Sequence, residues 1–167
     1  KKGYPDRIRL LKIAEEAARF SQSLQYNYSR MLDRGDALTA SVMASDGIRA
    51  ALRLWHMIYN VYPPHDKWLK KSVQSMGNGD EFIALLEDIN KAAGRVSAGD
   101  PSDMVKDLAL KAGEVLAYIK YRENIIRDVD PYLDSHTEEI LDKSRYAEKP
   151  DEELVKYIAK MEFAAFD

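Results

Sequence analysis

Apolar side chains recur every three or four residues along nearly the whole chain, and this periodicity constrains the fold more than any other feature. It predicts helices over about residues 5–32, 37–60, 66–76, 81–96, 100–127, 130–144 and 150–167. No stretch alternates polar and apolar residues between turn signals, as a half-buried β-strand would. We therefore expect an all-α fold, a bundle of six or seven helices with antiparallel neighbours joined by short loops.

Breaks between the predicted helices fall at residues that end helices for known physical reasons. Gly35 is expected to end the first helix, and Asp36 is expected to cap the second. The pair Pro63-Pro64 must end that second helix, because proline lacks an N–H and holds the preceding residue in an extended conformation. The turn GNGD at 77–80 follows, with Asp80 as the expected cap of the next helix.

Composition excludes several classes of protein and site. The 167 residues include no cysteine, so disulfides, thiol catalysis and Cys-based zinc sites are excluded. No run of apolar residues is long enough to cross a membrane, and we expect a cytoplasmic protein with no membrane partner. The chain starts without Met and stops at MEFAAFD, inside an amphipathic pattern, which favours a piece of a longer protein.

Charge is unevenly distributed along the chain. Residues 1–76 carry 13 Lys and Arg against 7 Asp and Glu, a net of +6, whereas residues 77–167 carry 12 against 21, a net of −9. A basic first part favours an anionic ligand there, although its size gives no strong indication of nucleic acid. The alternative is an ordinary solvated surface.

The second predicted helix has one polar face and one apolar face. The polar face carries residues spaced three or four apart, namely Asp46, Arg49, Arg53, His56 and Asn60. The opposite side is expected to form core, with Leu38, Val42, Ile48, Leu52, Trp55 and Tyr59. Arg, His and Asn make directional contacts to phosphates and carboxylates, so the polar face is either solvated or part of a ligand site.

The first predicted helix ends in an unusual polar stretch, QSLQYNYSRMLDRGD at 22–36. One face carries Gln22, Gln25, Tyr26, Ser29 and Asp33, and beside it lie Asn27, Arg30 and Arg34. Helix propensity alone would not select so many Gln, Asn and Tyr residues. Two interpretations stay open: a hydrogen-bonded seam between helices, or a wall of amide and hydroxyl groups facing a ligand.

Two motifs, QYNYSRMLDRGD at 25–36 and NVYPPHDKW at 60–68, resemble those of an uncharacterised bacterial family. Its members join an N-terminal nucleotidyltransferase domain, of the polymerase-β-like superfamily, to a C-terminal helical domain. The resemblance covers about residues 3–75, and its matching positions are Gln22, Gln25, Tyr26, Asn27, Tyr28, Arg30, Arg34, Gly35, Asp36, Asn60, Tyr62, Pro64, Lys67 and Trp68. The chain departs from the family pattern at His56, His65 and Asp66.

The resemblance implies a helical accessory domain that closes over a nucleotide and its acceptor and is inactive alone. The Gly-Ser turn and acidic pair that hold metal in that superfamily do not occur here, so this chain would contain no metal site or cofactor. Mg²⁺ and a nucleoside triphosphate would bind the intact protein, whose N-terminal nucleotidyltransferase domain would be the main partner. The implied nucleotide- and substrate-facing residues are Tyr26, Asn27, Arg30, Arg34, Asn60, Tyr62, Lys67 and Trp68. Asp36 and Asp46 are the implied acceptor-side carboxylates.

These observations divide the chain into three parts. Residues 1–76 form the expected ligand-facing part, residues 77–148 the supporting helices, and residues 149–167 a terminal helix similar to the start of a further fused domain. Two other functions stay open. One is a structural or protein-interaction bundle, recognisable by an exposed apolar patch. The other is a helical ribonuclease of a toxin–antitoxin pair, with Arg49 and His56 as its catalytic residues.

Overall fold

The elements of the fold are helices joined by short connections. The computed structural model describes residues 3–97 and 103–146. These residues form α1 (Asp6–Phe20), a π-helical segment (Ser21–Asn27), α2 (Tyr28–Asp33), α3 (Ala37–Ile58), a 3₁₀ turn (Asp66–Trp68), α4 (Leu69–Gln74), α5 (Gly79–Ser97), α6 (Asp103–Arg122), a second 3₁₀ turn (Leu133–His136) and α7 (Thr137–Tyr146). The described residues contain no β-strand, so the predicted all-α fold is confirmed. The helix predicted at 150–167 lies outside the described residues.

The π-helical segment joins α1 to α2, so residues 6–33 form one long rod. This rod runs antiparallel to α3, since Tyr4 N at one end donates to Asn60 Oδ1 (2.8 Å). Nearer the other end, Leu24 packs so closely on Gly47 that a Cβ added at Gly47 would overlap the leucine side chain. The hairpin of the rod and α3 forms the base of the fold.

Small residues form the side of α3 that contacts this rod. Ala40, Ala44, Gly47 and Ala51 are buried, and they allow the two backbones to approach closely. The core predicted for the start of this helix was wrong, because Leu38 is 79% exposed and Val42 is 48% exposed. Ala40 and Ala44 occupy the buried face at the start of α3, so the larger side chains of Leu38 and Val42 point outward.

Trp55, by contrast, is fully buried, as predicted for the core. It stacks on Phe82 of α5 with ring centroids 4.4 Å apart. The helices after residue 77 complete the same core, because α5 and α6 pack on α3 while α7 packs on α1. Its largest buried side chains come from both halves of the chain, among them Phe20, Leu54, Trp55, Ile89, Leu116, Leu133 and Ile140.

The turn between α2 and α3 forms as predicted. Gly35 has a φ of +75°, its N–H donates to Leu32 O (2.9 Å), and Asp36 N donates to Met31 O (2.9 Å). This left-handed arrangement ends a helix by satisfying its last carbonyl groups. Asp36 then caps α3 by accepting a hydrogen bond from Thr39 N (2.9 Å).

Several predicted boundaries are corrected by local hydrogen bonding. The helix expected over 100–127 ends at Arg122, because Asn124 takes a φ of +57° and turns the chain. The helix expected from about 130 starts only with the second 3₁₀ turn, since Asp128 and Asp130 accept hydrogen bonds from backbone N–H groups two residues ahead. Gly79 already lies in α5, so Asp80 is in its first turn.

Candidate functional site

Asn60 ends α3 and begins the corner that contains the double proline. It has a φ of +53°, its N–H donates to Met57 O (3.1 Å), and Val61 N donates to His56 O (2.8 Å). This pair of bonds is the Schellman arrangement, for which Asn is one of the few suitable residues. Its side-chain oxygen also accepts the hydrogen bond from Tyr4 N. Asn60 therefore has a structural role in the helix end, and its amide oxygen is already engaged.

Tyr62 lies on the outside of this corner. Its ring centroid is 4.2 Å from that of Tyr4, and its hydroxyl donates to Gly3 O (3.3 Å). Lys12 Nζ lies 5.9 Å from the Tyr4 ring centroid. The corner thus combines two aromatic rings with a nearby ammonium group, all from the basic first part of the chain.

Trp68 is the most exposed aromatic side chain of the corner. The residue is 52% exposed, although an indole has a large apolar surface that folding usually buries. Lys67 Nζ lies 5.8 Å and Lys71 Nζ 6.0 Å from its ring centroid. We call these three residues the Trp68 corner. It combines one half-exposed aromatic ring with two ammonium groups over it.

A network of ion pairs holds the corner against α3. Arg53 Nη2 lies 2.9 Å from Asp66 Oδ1, and Arg49 Nε lies 3.4 Å from Asp66 Oδ2. The hydrogen bond from Arg53 lowers the pKa of Asp66. The polar face predicted for α3 therefore anchors the segment after the double proline.

Glu16 extends this network inward, and the sequence analysis did not single it out. It is buried, with Arg19 Nη1 at 3.7 Å and Arg53 Nη1 at 3.8 Å from Oε1. Burial raises the pKa of Glu16, while the charge of Arg19 opposes that shift. Glu16 lies three residues after Ile13 and four before Phe20, which are both core residues. This helical spacing indicated that Glu16 lies on the buried face.

His56 is fully buried and fully hydrogen-bonded. Nδ1 lies 2.7 Å from Leu52 O, which accepts only, so Nδ1 carries the proton. Nε2 therefore accepts from the hydroxyl of Ser72, 2.8 Å away. Burial lowers the pKa of His56, so the ring is held neutral. A ribonuclease that uses Arg49 and His56 would need an exposed imidazole, and this one has no exposed atom to offer a substrate.

The polar residues of the π-helical segment form a seam with residues 130–134. Gln25 Nε2 donates to Pro131 O (2.7 Å), and Gln25 Oε1 accepts from Leu133 N (3.3 Å). Ser21 Oγ lies within hydrogen-bond distance of both Gln25 Oε1 (2.7 Å) and Asp134 Oδ1 (2.9 Å). Of the two interpretations of this stretch, the geometry supports the hydrogen-bonded seam for Gln25 and Ser21.

Tyr26 lies at the outer edge of this seam. Its ring stacks on Tyr132 with centroids 5.7 Å apart, and its hydroxyl is 3.4 Å from Asp134 Oδ1. Arg30 also lies over the ring, with Cζ 5.8 Å from the centroid. Asn27 is half-buried in the same turn, and Arg30 is exposed. These motif residues form an aromatic and cationic edge of their own.

The two candidate carboxylates and Arg34 lie along the start of α3 and the turn before it. Both oxygens of Asp36 are engaged by Thr39, through its N–H (2.9 Å) and its hydroxyl (2.6 Å). The hydroxyl bond lowers the pKa of Asp36, which weakens it as a base. Asp46 pairs with Arg49 at 3.0 Å. Arg34 is exposed at the C-terminal end of α2.

The predicted site residues fall into two groups, which the fold separates. Tyr26, Asn27, Arg30 and Arg34 lie near the turn between α2 and α3, whereas Asn60, Tyr62, Lys67 and Trp68 lie beyond the other end of α3. Since α3 has 22 residues, it spans roughly 33 Å. A single nucleotide cannot bridge that length, so the two groups cannot contact the same phosphates within this chain.

Lys120 is a further unusual group that the sequence analysis missed. It is fully buried on α6, and its Nζ has no hydrogen-bond partner among the residues that the structure describes. Burial lowers its pKa to about 7, although the charges of Asp128 and Glu139 oppose the shift. Its place four residues after Leu116, a core residue, was the signal that a lysine occupies an inner position.

Two classes of site are absent from the described part of the chain. Among residues 3–97 and 103–146, no three His, Asp or Glu side chains come together as metal ligands. None of the helices in those ranges combines the length and the apolar character that crossing a bilayer requires.

Comparison with known proteins bears on the first part of the chain. The family model described as Domain of unknown function (DUF4037) matches residues 2–69. No curated protein and no solved structure matches the chain. The match supports the predicted resemblance at the level of a domain of unknown function, and it includes both motifs. Residues 2–69, which contain α1 to α3 and most of the Trp68 corner, are thus similar to the family Domain of unknown function (DUF4037).

Proposed function

We propose that this chain is the helical accessory domain of a nucleotidyltransferase-like protein, with its Trp68 corner facing the nucleotide. The acidic residue pair that holds metal, and the bound Mg²⁺, would come from an N-terminal nucleotidyltransferase domain outside this chain. The chain alone would bind nucleotide weakly and transfer nothing.

The arrangement around Trp68 is the observation that carries this proposal. A half-exposed indole ring offers a stacking surface for a nucleobase, and stacking on an aromatic side chain contributes about 1–3 kcal/mol per base. The two ammonium groups over the ring, Lys67 and Lys71, supply positive charge for a polyphosphate. The net charge of +6 over residues 1–76 adds a favourable field for an anionic ligand.

The fold favours this corner over the edge formed by Tyr26 and Arg30. Each ring has a cation over it, but Tyr26 is also stacked on Tyr132, so less of its ring is available to a base. Asp134 lies beside its hydroxyl and would repel a phosphate. We therefore assign the nucleotide to the Trp68 corner and the first motif to structural support of the hairpin.

The test is a calorimetric titration of the chain with ATP, GTP, CTP and UTP at low salt, with and without Mg²⁺. We expect binding that Mg²⁺ strengthens for one nucleotide. Lys67→Ala and Trp68→Ala should each weaken it about tenfold, equivalent to about 1.4 kcal/mol, because each removes one of the two recognition elements.

Arg30→Ala is the matched control, because it also removes one exposed cation beside an aromatic ring, but at the opposite end of α3. Its affinity should equal that of the unaltered chain. If Arg30→Ala loses binding and Lys67→Ala does not, the nucleotide binds at the opposite end of α3, near Arg30. No heat with any nucleotide would remove the basis for a nucleotide site in this chain.

A specific observation also favours the interaction-module alternative. Leu38 and Val42 lie one turn apart on α3, and both are exposed. If this apolar pair contacts a second copy of the chain, light scattering should give a dimer mass, and the double substitution Leu38→Ser with Val42→Ser should give a monomer. A monomer before substitution would argue against self-association through this face.

A further inference from the structure

A cavity of about 390 Å³ lies between the end of α3, the start of α5 and the middle of α6. Its size lies in the range of small-molecule sites. Three aromatic residues that meet at its wall, Trp55, Tyr59 and Phe82, pack against one another. A fourth, Tyr118, lies at the rim and is exposed. We call this space the Trp55 cavity, and its wall is mainly apolar and aromatic.

Two carboxylates, Glu81 of α5 and Glu114 of α6, also line the Trp55 cavity. Neither forms an ion pair with a described residue, and among the described residues that line the space none is basic. Two like charges at one cavity repel each other, and a cation placed between them would relieve that repulsion. The charge of the site is therefore complementary to a positive ligand.

The accessible aromatic surface of the cavity comes from two tyrosines. Trp55 and Phe82 are buried and form the floor behind the wall, whereas Tyr59 is half-buried and Tyr118 is exposed. A bound molecule would therefore contact the rings of Tyr59 and Tyr118.

We propose that the Trp55 cavity binds a small organic cation, an alkylammonium or quaternary ammonium group. Aromatic faces attract such cations through the ring quadrupole, and quaternary ammonium groups are recognised by cages of this kind. Tyr59 and Tyr118 contact the cation, and Glu81 and Glu114 neutralise it. This site is distinct from the nucleotide face, since it uses acidic and aromatic residues in place of lysines.

The experiment uses choline, ethanolamine and 1,4-diaminobutane as probes, with 3,3-dimethylbutanol as the neutral isostere of choline. The readout is the fluorescence of Trp55 in a Trp68→Phe background, in which Trp55 is the remaining tryptophan. We expect at least one cation to change the emission in a saturable way. The neutral isostere should bind about tenfold more weakly, because it lacks the charge that the rings and carboxylates recognise.

Glu81→Gln and Glu114→Gln should each weaken the cation about tenfold while keeping the shape of the side chain. Glu138→Gln is the matched control, because it removes the same charge from an exposed position on α7. Equal binding of the neutral isostere, or equal loss in Glu138→Gln, would overturn the proposal, as would no response to any cation. Circular dichroism melting of each variant separates loss of the site from loss of the fold.

Discussion

Arg53 and Asp66, thirteen residues apart in sequence, are joined by a 2.9 Å contact between Nη2 and Oδ1. Pro63 and Pro64 lie between them, so this contact closes the corner that the prolines open. It also places Lys67 and Trp68 directly after an anchored residue, on the outside of the fold. The direction of the Trp68 corner thus depends on an ion pair with α3.

Asp66→Asn tests this anchor. The pair is partly exposed, so its removal should lower the free energy of unfolding by only about 0.5–1 kcal/mol, and high salt should reduce the difference. Because the folded pKa of Asp66 lies below its unfolded value, its contribution is present above the unfolded pKa and disappears as the pH falls through the folded one. Thermal melts at low and high salt measure the effect, and a loss unaffected by salt would contradict an ionic origin.

Gly113→Ala tests the contact of α6 with the polar seam. An added Cβ would overlap Pro131 O and lie 2.8 Å from Gln25 Nε2, so the seam must move. We expect a loss of about 1–3 kcal/mol in unfolding free energy by urea denaturation. Gly94→Ala is the matched control, because nothing lies within 4 Å of the added atom in the interior of α5. That change should stabilise the protein by about 0.5–1 kcal/mol. If both substitutions lower the unfolding free energy equally, overlap with the seam is not the cause of the loss.

Lys120→Met should stabilise the protein at neutral pH. The folded pKa of about 7 lies below the ordinary value, so between about pH 7 and 10.5 the unfolded chain binds more protons and stability rises with pH. Removing the buried amine removes a cost of roughly 5 kcal/mol at the lower end of that range. Denaturation across this pH range measures it, with exposed Lys111→Met as the control. If the unfolding free energy of Lys120→Met depends on pH as strongly as that of the original protein, Lys120 is not the source of the pH dependence.

His56 should make the fold sensitive to mild acid. Burial lowers its folded pKa below the unfolded value of about 6.5, so the stability that it contributes is complete above that pH and is lost as the pH falls toward the folded pKa.

Ser72→Ala removes the hydroxyl donor of Nε2 and should cost about 1–3 kcal/mol at neutral pH, because a buried acceptor loses its partner. Ser135→Ala, at an exposed turn, is the control. Equal effects of the two substitutions would argue against a buried hydrogen bond.

The sequence alone determined the helical class and several helix ends. Periodicity decides which segments form helices, and residues such as Gly35 and Asp36 act through the backbone next to them, so their roles follow from local chemistry. The double proline likewise ends a helix wherever it occurs.

Only the tertiary structure decided which face of a helix is buried and which polar groups meet. Leu38 and Val42 were expected inside, yet the close approach of two helices through alanines puts them outside. The seam between Gln25 and Pro131 joins residues more than a hundred positions apart, and no local pattern encodes that pairing.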